Sequence, residues 1–310
     1  MTWSRVAAAA LVLLSADAQA QQLDFRRVSR TGDEMLTFVW RDLERREQAT
    51  AFTLTRDAIR QAEASFRDFS LEEMWRVLER ELRDEVAGFG DGARVELRRS
   101  GDTMSWTLSA RDQRATDELS RRVEGRLTRA QQAYLSRHLR RRVGDRRIVV
   151  DFAAAVAALQ ESLRPVARAL GRTSGIADND AARVDLALTF FQQIPYAALD
   201  DAKRRGGDFL PGPALLAQNR GDCDSKAVAL AAVLRSYTSG RRLAVVTMPG
   251  HAVLGVEMPA SVGQATVRAQ GRQYVALEVA GPAVLPAGKL AAQSAKQLAE
   301  GREIEIWPLN

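Results

Sequence analysis

Few residues in this 310-residue chain can do covalent chemistry, and the sharpest signal among them is Gly221-Asp222-Cys223-Asp224-Ser225-Lys226. It places the only cysteine behind a glycine, where a helix is expected to begin. The first helical turn leaves backbone N–H groups unpaired and carries a partial positive charge, which favours a thiolate. Asp222 is placed to be the N-cap. Ala227, Leu230, Ala231 and Leu234 follow at 0, 3, 4, 7 spacing, which predicts an amphipathic helix with one face in a core. The other reading of Cys223 is a small buried hydrophobe, because free cysteines are among the most buried residue types.

A thiol nucleophile needs a base, and the chain has two histidines. His251 follows Pro249-Gly250 and opens the strand-like run Ala252 to Met258, whereas His138 sits in a polar, arginine-dense stretch that reads as a solvated helix. His251 is therefore the candidate base. A third group must hold the other ring nitrogen and fix the tautomer. Glu257 is six residues along the strand from His251, roughly 20 Å at strand rise and out of reach. Asp222 and Asp224 read as cap and first-turn carboxylates whose charge opposes thiolate formation. Glu278 ends the alternating run that starts at Gln273, and a strand there could pair antiparallel with the one after His251, bringing the carboxylate across. Its other reading is a solvent-facing charge at a strand end.

Cys223, His251 and Glu278, in that order, together with Phe190-Phe191-Gln192-Gln193-Ile194-Pro195-Tyr196, Pro249-Gly250-His251-Ala252 and Leu277-Glu278, resemble the transglutaminase-like branch of the papain superfamily. The chain is most similar to its exported bacterial members over about residues 150 to 285, with glutamate where many members carry aspartate. The resemblance implies an α+β fold with the cysteine-bearing helix packed on an antiparallel sheet. It also implies a protease or amidohydrolase acting on a protein or peptide through a thioester. Cys223 would be nucleophile, His251 base and then acid, and Glu278 the orienting carboxylate. The Cys223 N–H and Gln192 are oxyanion candidates, and Tyr196 a cleft residue. No cofactor is required. Calcium would draw on Asp222 and Asp224 with Asp200, Asp201 and Asp208, without EF-hand spacing. An amine-accepting transglutaminase and a non-catalytic binding or assembly module remain as alternatives, and a redox role lacks a resolving cysteine.

The elements that must position these groups divide the expected chain in three. Residues 1–20, with Arg5, the apolar run Val6 to Leu14 and Ala18-Gln19-Ala20, read as a signal peptide. A periplasmic or secreted location follows, where a lone thiol needs a reason. Residues 21–150 read as an α+β accessory domain: an extended run at Met35 to Trp40, a helix near Ser70 to Val86, a hairpin of Ala93 to Arg98 and Met104 to Leu108 turning at Ser100-Gly101-Asp102, and a long helix from Asp112 to His138. Residues 151–310 form the transglutaminase-like part, with helices at Ala153 to Leu170, Ala181 to Gln193 and Leu290 to Ala299 and a closing strand at Glu303 to Trp307. The net charge is +6, and four of the 45 basic residues are lysine. Ten arginines between Arg121 and Arg147 would suit an anionic surface or simply a solvated helix face. Nucleic acid is not an expected partner for an exported protein with so few aromatics among these arginines. Oligomeric state is not written in these residues.

Overall fold

The computed structural model describes residues 22–67, 69–90, 92–100, 103–144, 147–173, 175, 177–199, 209–238 and 240–309. The expected signal segment, Asp200, Asp201, Asp208 and the Gly101-Asp102 turn lie outside the described residues. Strands β1 (Asp24–Arg30), β2 (Asp33–Arg41) and β3 (Glu47–Thr55) lead into α1 (Arg56–Arg67) and α2 (Leu71–Phe89). Then come β4 (Arg94–Ser100), β5 (Thr103–Ser109), α3 (Gln113–Arg137), β6 (Arg140–Val143) and β7 (Arg147–Val150). Four helices follow: α4 (Phe152–Leu170), α5 (Asp180–Gln193), α6 (Gly212–Gln218) and α7 (Cys223–Tyr237). The chain closes with β8 (Leu243–Met248), β9 (His251–Val256), β10 (Thr266–Ala269), β11 (Arg272–Leu277), α8 (Ala292–Glu300) and β12 (Glu305–Pro308). The class is mixed α+β, and every strand pairing in its sheets is antiparallel.

Among the described residues, 22–63, 152–199 and 209–309 form one unit and 64–151 another. The expected border near 150 is therefore one edge of the second unit, while the first three strands belong with the C-terminal residues. Burial explains why. Strands β2 and β3 alternate strictly between buried and partly exposed positions, as a sheet with one covered face must. Phe38 and Trp40 on the covered face are essentially inaccessible. They meet Phe190 of α5 edge-on at ring-centroid distances of 5.0 and 5.2 Å, and the Trp40 indole N–H donates to the Thr189 hydroxyl at 3.4 Å.

The second unit packs α2 and α3 through Met74, Leu78, Leu82, Leu119, Val123 and Leu127, with Val95, Leu97 and Trp106 of the β4–β5 hairpin against them. Ser70 and Asp112 cap the two helices by accepting the Glu73 and Ala115 amides. Two expectations fail here. His138 is buried, with its ring 4.5 Å from that of Tyr134, because the helix stops at Arg137 and the chain turns inward. The arginine run beyond it is strand β6, paired with β7. Arg140 is buried with its guanidinium 5.0 Å from the Phe69 ring, while Arg122 and Arg126 pair with Glu85 and Glu81 at 2.7 Å. Arg121, Arg129, Arg137, Arg141, Arg142 and Arg147 stay exposed, so the stretch is largely solvated as one reading expects, with Arg140 the buried exception.

In the first unit, α7 is the central element, contacted by α4, α5, α6, β8 and β9. Every residue from Ser225 to Leu234 is buried, so the helix is enclosed on all sides and not amphipathic as the spacing predicts. Val228, Ala229, Ala232 and Val233 fill the face expected to be polar. Beside α7 runs a five-stranded sheet in the order β10-β11-β9-β8-β12.

Candidate active site

Cys223 opens α7 and is half-buried. Asp222 caps the helix as expected, accepting the Ser225 N–H at 3.1 Å, and Asp224 accepts the same N–H at 3.0 Å. The segment before the cap is fixed by a parallel bridge between Tyr196 and Gly221. Gly221 N–H donates to the Pro195 carbonyl at 3.2 Å, and Ala197 N–H to the Gly221 carbonyl at 3.1 Å. Glycine at 221 lets the chain pack closely, since a Cβ there would fall 2.6 Å from Leu215 Cδ1 and force that buried side chain to shift. Tyr196 is 54% exposed, which puts an accessible aromatic next to the strand of chain that delivers the cysteine.

His251 pairs with Met248 across the β8–β9 hairpin, whose turn uses Gly250 at φ +69°. Strand β11 lies on the other side of β9, in register at Leu277 and Leu254, so Glu278 emerges beside the start of β9. His251 Nε2 is 2.7 Å from Glu278 Oε1. With the carboxylate ionised, Nε2 carries the ring proton and Nδ1 is left as the acceptor. The backbone N–H of Ala252, the next residue of β9, is hydrogen-bonded to the Cys223 sulfur. His251 and Glu278 are thus in direct contact, and Cys223 lies against β9 at the neighbouring Ala252. Glu257 pairs with Arg272 at 2.8 Å instead.

The electrostatics of the thiol depart from expectation. Burial, followed by the charges of Asp224 and Asp222, pushes Cys223 up to about 12, against the N–H groups of Ala252 and Asp224, which pull it down. The helix N-terminus is present but outweighed, so at neutral pH the resting group is a thiol. It becomes a nucleophile only as a base removes its proton. Glu278 shows the opposite balance. Burial raises its pKa, but the His251 hydrogen bond and charge, the Ser294 hydroxyl and the Ala291 N–H together hold it below the usual 4.5.

Gln192 is not available as an oxyanion donor. It is buried, and its amide Nε2 donates to the Glu278 carbonyl at 2.7 Å and to the Leu285 carbonyl at 2.9 Å, while Oε1 accepts the Leu285 N–H at 3.1 Å. Both amide protons are used, and the side chain acts as a bracket under Glu278. The Cys223 N–H, in the first turn of α7, keeps its candidacy as an oxyanion donor. Lys226 was not given a role by sequence reasoning, yet it is fully buried with its ammonium donating to the Ile194 carbonyl. Burial pushes it down to about 8. Its signal was an ionisable residue leading an otherwise apolar run. For calcium, Asp222 and Asp224 already hold the Ser225 amide, and among the described residues no three carboxylate, histidine or cysteine side chains gather as a cation site would need.

Two outcomes test this geometry. Gln192→Ala is expected to cost about 1–3 kcal/mol in chemical denaturation, since it strands buried carbonyls, whereas a mere oxyanion donor would leave stability unchanged. Glu278 has a folded pKa below its unfolded value, so its stabilising contribution is present above pH 4.5 and fades as pH falls through the lower folded value. Glu278→Gln should therefore be less stable than the parent at neutral pH and converge on it in acid. A constant gap across the titration would contradict the hydrogen-bonded carboxylate. No family model matches this chain, and no curated protein or solved structure matches it, so the geometry and the sequence carry the functional reading.

Proposed function

We propose that the chain is an exported cysteine hydrolase of the transglutaminase-like kind, a protease or amidohydrolase using a Cys223–His251–Glu278 triad. The observation that carries this reading is the 2.7 Å contact of His251 Nε2 with Glu278 Oε1 beside the thiol-bearing start of α7. The order of the three residues, and an enclosed helix next to an antiparallel sheet, support the likeness to that superfamily. In the proposed reaction His251 Nδ1 takes the Cys223 proton as sulfur attacks a carboxamide carbon. The resulting oxyanion is met by the Cys223 N–H. Collapse expels the amine, which receives the proton from His251, and leaves a thioester. Water, deprotonated by His251, then releases the acid and restores the thiol.

A second reading, a non-catalytic binding or assembly module, is favoured by one observation: burial and two aspartates hold the thiol protonated. The two separate with p-nitrophenyl acetate, an activated acyl donor that needs no specific pocket. The wild-type protein should acquire an acetyl group on Cys223, seen by intact mass, and then lose it to water, with His251→Ala acylated about 100-fold more slowly. A simple alkylamine, at a concentration that leaves a free thioester intact, capturing the acyl group faster than water would favour the amine-accepting variant. An inert thiol, or acylation indifferent to His251, would leave the binding module.

A further inference from the structure

The helix α8 has an unusual burial pattern, because Ser294 is its one buried residue. A surface helix of a globular protein normally buries an apolar stripe; here the side chain turned fully inward is polar. Its hydroxyl hydrogen-bonds the Glu278 carboxyl. Three residues earlier, the Ala291 N–H at the start of the same helix donates to Glu278 Oε2 at 3.2 Å. That leaves Oε1 for His251. Three residues beyond Ser294, the Gln297 amide donates to the Pro249 carbonyl at 3.0 Å. Pro249 precedes the Gly250 turn that sets His251 at the head of β9.

One helix therefore touches both halves of the pair, the carboxylate through Ala291 and Ser294 and the histidine's turn through Gln297. Resting on the hydrolase reading, we propose that α8 is the positioning element of the catalytic dyad, with Ser294 and Gln297 as its positioning residues. Neither residue meets the substrate. The Ala291 N–H on Oε2 leaves Oε1 to face the ring, and the Ser294 hydroxyl adds a further donor that holds the carboxyl in place, so that Nε2 keeps the proton and Nδ1 stays a base. Gln297 fixes the turn that aims the ring. Apolar support for α8 is thin, with Leu298 and Leu290 only partly buried against the sheet, so these polar contacts carry its alignment.

The chain has two histidines, which makes imidazole NMR a direct readout. In histidine-labelled protein, His251 should show the Nε2–H tautomer with a slowly exchanging, downfield Hε2 proton. Ser294→Ala and Gln297→Ala should each lose that resonance to solvent exchange and mix the tautomers, and Ser294→Thr, which keeps the hydroxyl, should restore it. Both alanine variants retaining the wild-type His251 spectrum would overturn the proposal. Global unfolding of either would also overturn it, by making the residue a stability contact. If His251→Ala leaves Cys223 acylation unchanged, the hydrolase reading fails, while the histidine spectrum still reports whether α8 holds the pair.

Discussion

A buried carboxylate has to be surrounded by donors, and much of the candidate site is arranged to meet that demand at Glu278. Gln192 of α5 grips its backbone carbonyl, His251 takes one carboxylate oxygen, and the start of α8 takes the other. These contacts come from three separate elements, so Glu278, through its backbone carbonyl and its carboxylate together, ties a helix, a strand and the C-terminal segment to one point. Removing any one donor leaves a buried polar group unpaired, which costs more than the hydrogen bond itself contributes.

The thiol sits in a contrasting setting. Cys223 is placed by a capped helix whose aspartates and burial disfavour its anion. An ion pair standing ready in the resting state is therefore not what this geometry offers. On the proposed hydrolase reading, proton removal and attack on a carbonyl are coupled, and the quality of the base decides the rate. That is why the tautomer of His251, and whatever holds it, matters more here than the helix dipole beneath the sulfur. Lys226, one turn further along α7, ties the helix to the Ile194 carbonyl and so to the segment carrying Pro195 and Tyr196.

Local signals were legible in the sequence, and tertiary ones were not. The Asp222 cap and the Pro249-Gly250 turn before His251 each mark a boundary through chemistry confined to a few residues, whereas the strand before Glu278 is buried on both faces from Tyr274 to Leu277 and not half-buried as its alternation predicts. The 0, 3, 4, 7 spacing in α7 does not reveal its burial, because nearly every position there is apolar and a helix apolar all round belongs inside. The charge run around His138 and Arg140 predicts a solvated face and hides the four-residue strand β6. The resemblance points Gln192 at the oxyanion, whereas its partner at Glu278, 86 residues away, leaves no trace in local spacing. The same distance problem hides Ser294: the helix could be expected, but not which of its faces met the carboxylate.

The most direct test of a histidine-activated thiol is the pH dependence of Cys223 alkylation by iodoacetamide in the folded protein, compared between wild type and His251→Ala. Activation by the dyad predicts appreciable alkylation through the neutral range that is lost in the variant. A rate that climbs only toward the thiol's own ionisation at about 12, the same with and without His251, would contradict it.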